Sequence, residues 1–497
     1  MVTVAPAIAS LKTSARILAL VLSCAFAAQG QTLPDLGDVS ASALSETQER
    51  TIGNRIMREV VVDPAYVDDP DVVDYIKSLG ERLLSVSETP RKDIAFFVVQ
   101  DEQVNAFAMV GGNIGVNTGL ILLTQDESEL AGVLAHEIAH VLQKHQARMA
   151  HGQSKSQWTS LAALALAVIA ARSNSPQGSQ VTEAAIASAG ALSIQNQLDY
   201  TREHEREADR VGLTLLDRAG FSPRGMSAFF ERLLRSNRLN ELKGAPSYLR
   251  THPLTTERIA DIQDRLQDVG PRLVADSFGY RLVRSKLRAA TGSPSEAVTW
   301  FRAALEDKTV VRPREDVYGY ALALRRARDF EGAAKVLEPL RRPESDHPAF
   351  ELLAAQLASD RGRPEEALAI YRAALKATPR NRGLVYGYEN QLMQLGRPRE
   401  ALADLAPRVR DVQDDATLWE LQARAYAASG EPLAQHRSQA ESYFRKGNLA
   451  AAVDQLELAV KVRGSDFYEQ SSLESRLREL RVLLENERSA EKALKIS

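Results

Sequence analysis

The chain has 497 residues, of which 44% are hydrophobic and 26% are charged, and its formal net charge is −3. This length exceeds what one hydrophobic core usually supports, so roughly two to four domains are expected. The composition is that of an ordinary globular protein, which argues against wholesale disorder and against an integral membrane protein. Because the net charge is small and no long basic run occurs, nucleic-acid binding has no support.

The first segment has the pattern of a secretory signal peptide. Lys12 and Arg16 precede an apolar run over 17–28, which includes the small-residue pattern at 25–27. The run is shorter than the roughly 20 apolar residues that a membrane-spanning anchor needs. We therefore expect a signal peptide over 1–28 and export of the mature chain.

The single cysteine, Cys24, falls inside this segment, so the mature chain is expected to contain no disulfide. Cys24 also offers an alternative lipoprotein cleavage site. That site is a poor match, because Leu22 stands where a small residue is usual. We therefore favour the ordinary signal peptide over lipidation at Cys24.

The next part of the chain predicts helices, then a small sheet, then a long helix. The predicted elements are helices over 46–59 and 70–87, strands over 94–99, 105–108 and 114–117 with a Gly-Gly turn at 111–112, and a helix that begins near Thr124 or Asp126. A capping box is available from Thr124 with Glu127 or from Asp126 with Glu129. Two further apolar stretches, 161–171 and 184–192, are too short to cross a bilayer and fit either buried helices or a mobile lid.

The C-terminal part carries an internal repeat. Related positions recur at intervals of 34 residues, at Arg328, Gly362, Gly396 and Gly430. This is the tetratricopeptide period. Units that begin at Gly292 and Gly447 have similar sequences but do not follow the 34-residue spacing. Small residues at the turns let stacked helix pairs bury a shared core and form a concave face, which is usually used for binding. A purely structural array is the alternative.

The string His136-Glu137-Ile138-Ala139-His140 lies within the long predicted helix. Residues four apart lie on one helix face about one turn apart, so both imidazoles can bind a single zinc ion. Glu137 is placed to act on zinc-bound water as a general base. Apolar residues surround the motif and predict a buried helix, which makes a structural role for the two histidines a poor alternative.

A third zinc ligand is expected from a predicted helix over 199–219. Glu205 and Asp209 are four apart and share a face, whereas Glu207 points away from it. This spacing makes Glu205 the candidate ligand and Asp209 a carboxylate that orients a zinc histidine. The alternative, a solvated run of charges, explains the apolar residues of this segment less well.

The HExxH string followed by Glu-x-Glu-Ala-Asp resembles the M48 family of zinc metallopeptidases. The resemblance is also carried by motifs at 105–108, 111–112, 251–254 and 258–261, and with the leader at 32–37 and the repeats it covers nearly the whole chain. It implies one zinc ion per subunit, bound by His136, His140 and Glu205. Glu137 is implied to be catalytic, and Asp209 belongs to the same catalytic set.

The resemblance further implies that His252 lies on a loop and can close the site as a fourth zinc ligand. It implies a periplasmic protein of Gram-negative bacteria that assists the maturation of outer-membrane proteins and degrades stalled ones. The β-barrel assembly machinery would be contacted through the repeats, and peripheral contact with a membrane stays open. The expected fold class is α+β. A mostly helical gluzincin metallopeptidase domain with a small sheet spans 29–270, and an all-α tetratricopeptide-repeat solenoid spans 271–497.

A substrate would lie extended beside the strand over 105–109. The remaining histidines are expected to be solvated or structural, with His145 pointing off the zinc face; they are His145, His151, His204, His347 and His436. Arg258 could stabilise an oxyanion or form an ordinary ion pair. A second class of function stays open, in which the repeats bind client proteins and the peptidase site is normally closed.

Overall fold

The computed structural model describes residues 46–88, 93–146, 148, 191–239, 247–267, 269–270, 272–306, 313–341, 347–462 and 466–496. The predicted signal peptide, Cys24, His151 and nearly all of 161–192 lie outside these residues. The described part is mostly helical and contains one three-stranded sheet, which confirms the α+β class. Within the described ranges, no helix combines the length and the hydrophobicity that crossing a membrane requires.

The N-terminal half contains the sheet and the longest buried helix. Its elements are α1 (Glu46–Val62), α2 (Pro70–Leu84), β1 (Ala95–Val99), β2 (Ala106–Met109), β3 (Asn113–Asn117), α3 (Thr118–Leu123), α4 (Glu127–Leu142), α5 (Ala191–Arg218), α6 (Arg224–Leu239), α7 (Ser247–Thr251) and α8 (Thr256–Arg265). The predicted strands and helices are present among the described residues, and the helix predicted over 199–219 begins earlier, at Ala191. The apolar stretches 161–171 and 184–192 lie almost wholly outside those residues and stay predictions.

The sheet has the order β1-β3-β2, with β1 parallel and β2 antiparallel to β3. The predicted hairpin joins β2 to β3 through Gly111 and Gly112, whose φ angles of 88° and 85° are left-handed. A side chain at Gly111 would also meet the backbone of Gly53 in α1, because its Cβ would lie 2.7 Å from that Cα. The sheet order makes β2 an edge strand. The turn that follows β2 packs closely against α1.

Helix α4 begins at the second of the two predicted caps. The Asp126 side chain accepts a 2.9 Å hydrogen bond from the Glu129 amide, and Glu129 Oε2 accepts one of 2.7 Å from the Gln125 amide. Every residue of α4 up to Val141 is buried, so the helix is covered on all sides, as a central core helix must be. It packs against α5, α6 and β2, which places its HExxH turn in the interior.

The C-terminal half is a series of paired helices. They are α9 (Phe278–Ala290), α10 (Pro294–Glu306), α11 (Arg314–Arg326), α12 (Phe330–Leu337), α13 (Pro348–Asp360), α14 (Pro364–Ala377), α15 (Arg382–Gln394), α16 (Pro398–Asp411), α17 (Ala416–Ser429), α18 (Pro432–Arg445), α19 (Leu449–Lys461) and α20 (Phe467–Ile496). The repeat glycines have left-handed φ angles, including the two outside the strict spacing, Gly292 at 65° and Gly447 at 74°. Arg328 takes the same conformation, with φ of 64°, at the position where the other repeats have glycine.

The two halves are joined by more than the connecting chain. Tyr280, Val283 and Leu287 of α9 belong to the same buried cluster as α4. Lys286 of α9 pairs with Asp69 and Asp71, at 2.7 and 2.6 Å, at the start of α2. Further along the repeats, Arg382 of α15 pairs with Asp74 of α2, and Glu487 of α20 pairs with Arg58 of α1. The boundary at residue 270 stays a prediction.

Candidate metal centre

Three predicted ligand side chains meet at one point between α4 and α5. The Nε2 atoms of His136 and His140 lie 3.0 Å apart, because one helical turn separates the two residues on one face. Each Nε2 atom lies 3.4 Å from an oxygen of Glu205. All three side chains are buried.

A fourth side chain reaches the same point from the segment between α7 and α8. His252 Nδ1 lies 3.1 Å from Glu205 Oε1, and its Nε2 lies 3.5 Å from Glu137 Oε1. Each of the four residues His136, His140, Glu205 and His252 offers one ligand atom, and these atoms all lie within 4.8 Å of one another. Two helical imidazoles and a carboxylate form a donor set that suits zinc.

Glu137 gives an independent sign that the site is built for a ligand. Both of its carboxylate oxygens are buried, and neither has a hydrogen-bond partner among the residues that the structure describes. An unpartnered buried carboxylate is costly to keep in an apolar helix. The residues present therefore fit a zinc site, with the free carboxylate of Glu137 beside the ligand atoms.

Asp209 and Arg258 support the opposite side of the first histidine. Asp209 Oδ1 lies 3.0 Å from His136 Nδ1, and Arg258 binds both oxygens of Asp209 at 2.8 Å. A third Arg258 nitrogen lies 2.8 Å from Glu205 Oε2 and donates to the Pro253 carbonyl at 2.9 Å. Arg258 is buried and forms ion pairs, so of the two sequence interpretations the ion pair describes its contacts.

Burial and hydrogen bonds shift the pKa values of His136 and His140 in opposite directions. Burial alone would lower the pKa of His136, but hydrogen bonds to Asp209 and Glu205 outweigh burial and raise it to about 9. Burial lowers the pKa of His140 to about 3, despite its hydrogen bond to Glu205. For Asp209, burial would raise the pKa, but hydrogen bonds from His136 and Arg258 hold it below its ordinary value. The metal-free site thus favours one positive and one neutral imidazole.

The segment that carries His252 is fixed against the site and the sheet. The Tyr248 ring stacks on His252 with 4.6 Å between the ring centroids. The Tyr248 amide donates to the Val104 carbonyl at 3.2 Å, just before edge strand β2. His252 is itself buried, so in this structure the segment covers the cluster.

Two side chains at the site were not predicted. His145 Nδ1 lies 2.9 Å from His140 Nδ1, and His145 Nε2 lies 3.0 Å from Glu207 Oε2. His145 offers no ligand atom to the four-residue cluster, but the expectation that it points off the zinc face was wrong, because the chain leaves the helical path after α4. Lys144 has a left-handed φ of 51°, which turns His145 back toward His140. Glu207 does point away from the face of Glu205 and Asp209, as predicted, and this direction brings it to His145.

The other described histidines lie apart from the cluster of ligand atoms. His204 is buried and stacks on His145, with 4.3 Å between centroids. His347 caps α13 by accepting from the Ala349 amide, and His436 bonds to Gln455. These contacts are consistent with the structural or solvated role expected for His347 and His436.

The comparisons with known proteins agree with this site. The family described as "Peptidase family M48" matches residues 71–266, and tetratricopeptide repeats match residues 318–382 and 358–425. The Beta-barrel assembly-enhancing protease of Escherichia coli (strain K12) is 31% identical over 472 residues, which cover 93% of this chain and 93% of that protein. The chain belongs to peptidase family M48.

Two other relatives match different shares of the chain. The Putative beta-barrel assembly-enhancing protease of Vibrio cholerae is 31% identical over 88% of each chain. The mitochondrial metalloendopeptidase OMA1 of Schizosaccharomyces pombe is 29% identical over 195 residues, 39% of this chain and 53% of that protein. As an M48 member with this cluster, the chain is a zinc metalloendopeptidase followed by tetratricopeptide repeats.

Proposed function

We propose that His136, His140 and Glu205 bind the catalytic zinc ion, that Glu137 is the general base, and that Asp209 orients His136. The observation that carries this assignment is the convergence of the ligand atoms within 4.8 Å beside Glu137, which is buried and accepts no hydrogen bond from the described residues. A carboxylate on the outer nitrogen of a zinc histidine fixes its tautomer and ring orientation, which is the role that the 3.0 Å contact gives Asp209.

The bound zinc ion would polarise the scissile carbonyl and lower the pKa of the attacking water. Glu137 takes a proton from that water and passes it to the leaving amine. Glu137 follows His136 on α4, which places its carboxylate next to the four ligand atoms without making it a ligand. Arg258 pairs with both Glu205 and Asp209 and so holds the two carboxylates in place along α5.

The substrate is proposed to lie extended along β2, pairing with this edge of the sheet. No strand in the described part of the chain pairs with the second side of β2. Two carbonyls at or just before β2 accept hydrogen bonds from other parts of the chain. The Gln146 side chain donates to the Ala108 carbonyl, and the Tyr248 amide donates to the Val104 carbonyl. A substrate strand would replace these donors, and displacing Tyr248 would also move His252.

His252 is proposed to be a fourth ligand that closes the site. We expect His252→Ala to raise proteolysis of unfolded casein by about tenfold, because removal of a competing ligand worth about 1.4 kcal/mol would free the substrate position. The measurement is the initial cleavage rate at a fixed zinc content. Thr251→Ala, an exposed neighbour on the same segment, is the matched control and should keep the wild-type rate. Equal rates for the His252 variant and the wild type would remove the closure proposal.

We also propose that the protein acts in the periplasm on unfolded or stalled outer-membrane β-barrel proteins. The similarity to β-barrel assembly-enhancing proteases over 93% of the chain supports this, and so does the signal-peptide pattern at 1–28. The β-barrel assembly machinery would be reached through the repeats. A second function, client binding with the peptidase site shut, is favoured by His252 lying within the cluster.

The substrate proposal predicts selectivity for the unfolded state of one class of protein. An outer-membrane β-barrel protein diluted from urea should be degraded at least about tenfold faster than the same barrel folded in detergent. Only the unfolded chain has free backbone N–H and C=O groups that can pair with β2. Gel-based decay rates measure both, with a soluble globular protein unfolded in the same way as the control. Equal degradation of the unfolded barrel and the unfolded control would contradict the proposed substrate class.

A further inference from the structure

We propose that His145 and Glu207 form a positioning relay that holds the zinc ligand His140 from its outer side. The inference rests on the proposed role of His140 in zinc binding and deepens it. His145 lies between the two, 2.9 Å from His140 Nδ1 and 3.0 Å from Glu207 Oε2. Neither residue offers an atom to the four-residue metal cluster, so both act through His140.

The hydrogen-bond directions along this chain follow from the metal site. His140 Nε2 faces His136 and Glu205, so zinc binding at Nε2 leaves the proton of His140 on Nδ1. His140 Nδ1 then donates to His145 Nδ1, and His145 must carry its own proton on Nε2. That nitrogen donates to the Glu207 carboxylate, which is an acceptor only. Each ring therefore has one allowed tautomer when zinc is bound.

The surroundings of His145 show that this arrangement is built into the fold. Lys144 adopts a left-handed backbone that only glycine adopts freely, and this turn points His145 back at His140. The buried His145 ring stacks on His204 at an interplanar angle of 15°. Arg148 donates to Glu207 at 2.8 Å and holds the far end of the relay.

The relay gives the second zinc histidine the kind of support that Asp209 gives the first. His136 contacts a carboxylate directly, whereas His140 reaches one through His145. Glu205, Glu207 and Asp209 all lie on α5, so one helix supplies the ligand and both supporting carboxylates. Supporting groups of this kind typically change metal affinity by about 10- to 100-fold.

The test measures zinc affinity in the full-length protein by competition with a chromophoric chelator. His145→Phe keeps a ring that can stack on His204 but removes the acceptor, and it should raise the zinc dissociation constant at least about tenfold. Glu207→Gln keeps an acceptor oxygen and should weaken zinc binding less. Glu203→Gln is the matched control, because Glu203 is exposed on the same helix, and it should bind zinc as the wild type does.

A second readout separates positioning from a merely structural role. The melting temperature of the zinc-free protein should be unchanged in Glu207→Gln, while the increase that zinc produces should be smaller. Wild-type zinc affinity in both His145→Phe and Glu207→Gln would overturn the relay and leave the proposed ligands intact. If the wild type itself bound no zinc, the ligand assignment and the relay would both fail.

Discussion

Replacing Glu137 by Gln is expected to lower the proteolytic rate by about a thousandfold while the protein keeps one zinc ion per chain. Glutamine has nearly the same shape as glutamate, so α4 should stay packed, but the amide cannot take a proton from water. The comparison is best made in a His252→Ala background, where the site is proposed to be open. Initial rates of casein cleavage and zinc content by mass spectrometry are the two measurements.

Glu203→Gln is the control for this comparison, because it removes an exposed carboxylate from α5 and should leave the rate unchanged. Cleavage by the Glu137 variant at more than a tenth of the parent rate would contradict the general-base assignment. If neither wild type nor Glu137→Gln cleaved casein and both prevented its aggregation, the client-binding function would apply instead.

Replacing Arg258 by Met is expected to destabilise the peptidase domain by about 3 kcal/mol. The substitution keeps most of the side-chain volume but leaves Asp209 and Glu205, both buried, without their shared cation. It also frees the Pro253 carbonyl, and with it the segment that carries His252. The free energy of opening can be measured by native-state hydrogen exchange in α5 and α8 of the zinc-free protein.

Arg265→Met tests whether burial is the reason for this effect. Arg265 also lies on α8 and pairs with Asp261 at 3.0 Å, but both side chains are about half exposed. A pair of that kind is worth roughly 0 to 1 kcal/mol, so this variant should open almost as the wild type does. Similar destabilisation by both variants would show that the burial of the Arg258 ion pairs is not the reason for the effect.

Much of the candidate site could be predicted because its spacing follows the helix. His136 and His140 are four apart on α4, and Glu205 and Asp209 are four apart on α5, so each pair shares a face whatever the rest of the fold does. The repeats were predictable for a similar reason, since a left-handed turn recurs with the sequence period. Helical spacing and recurring turns are local features, so they can be predicted from the sequence.

The relay and the buried pair of Arg258 could not be predicted in the same way. A helical extrapolation past α4 places His145 on the wrong face, because the left-handed Lys144 breaks the period and nothing in a lysine signals that turn. The number of partners of Arg258 depends on how α8 packs against α5. Contacts set by tertiary packing or by one unusual backbone angle leave no periodic trace in the sequence.

The first repeat helix completes the interior of the peptidase half, and this has a practical consequence for anyone who cuts the chain. A fragment that stopped at residue 270 would expose the surface that Tyr280 and its α9 neighbours fill. It would also deprive the buried carboxylate of Glu127 of its donors from Ser277, at 2.6 and 2.8 Å. We therefore expect that a stable expression fragment of the protease has to extend through Ala290, because α9 fills part of the same buried cluster as α4.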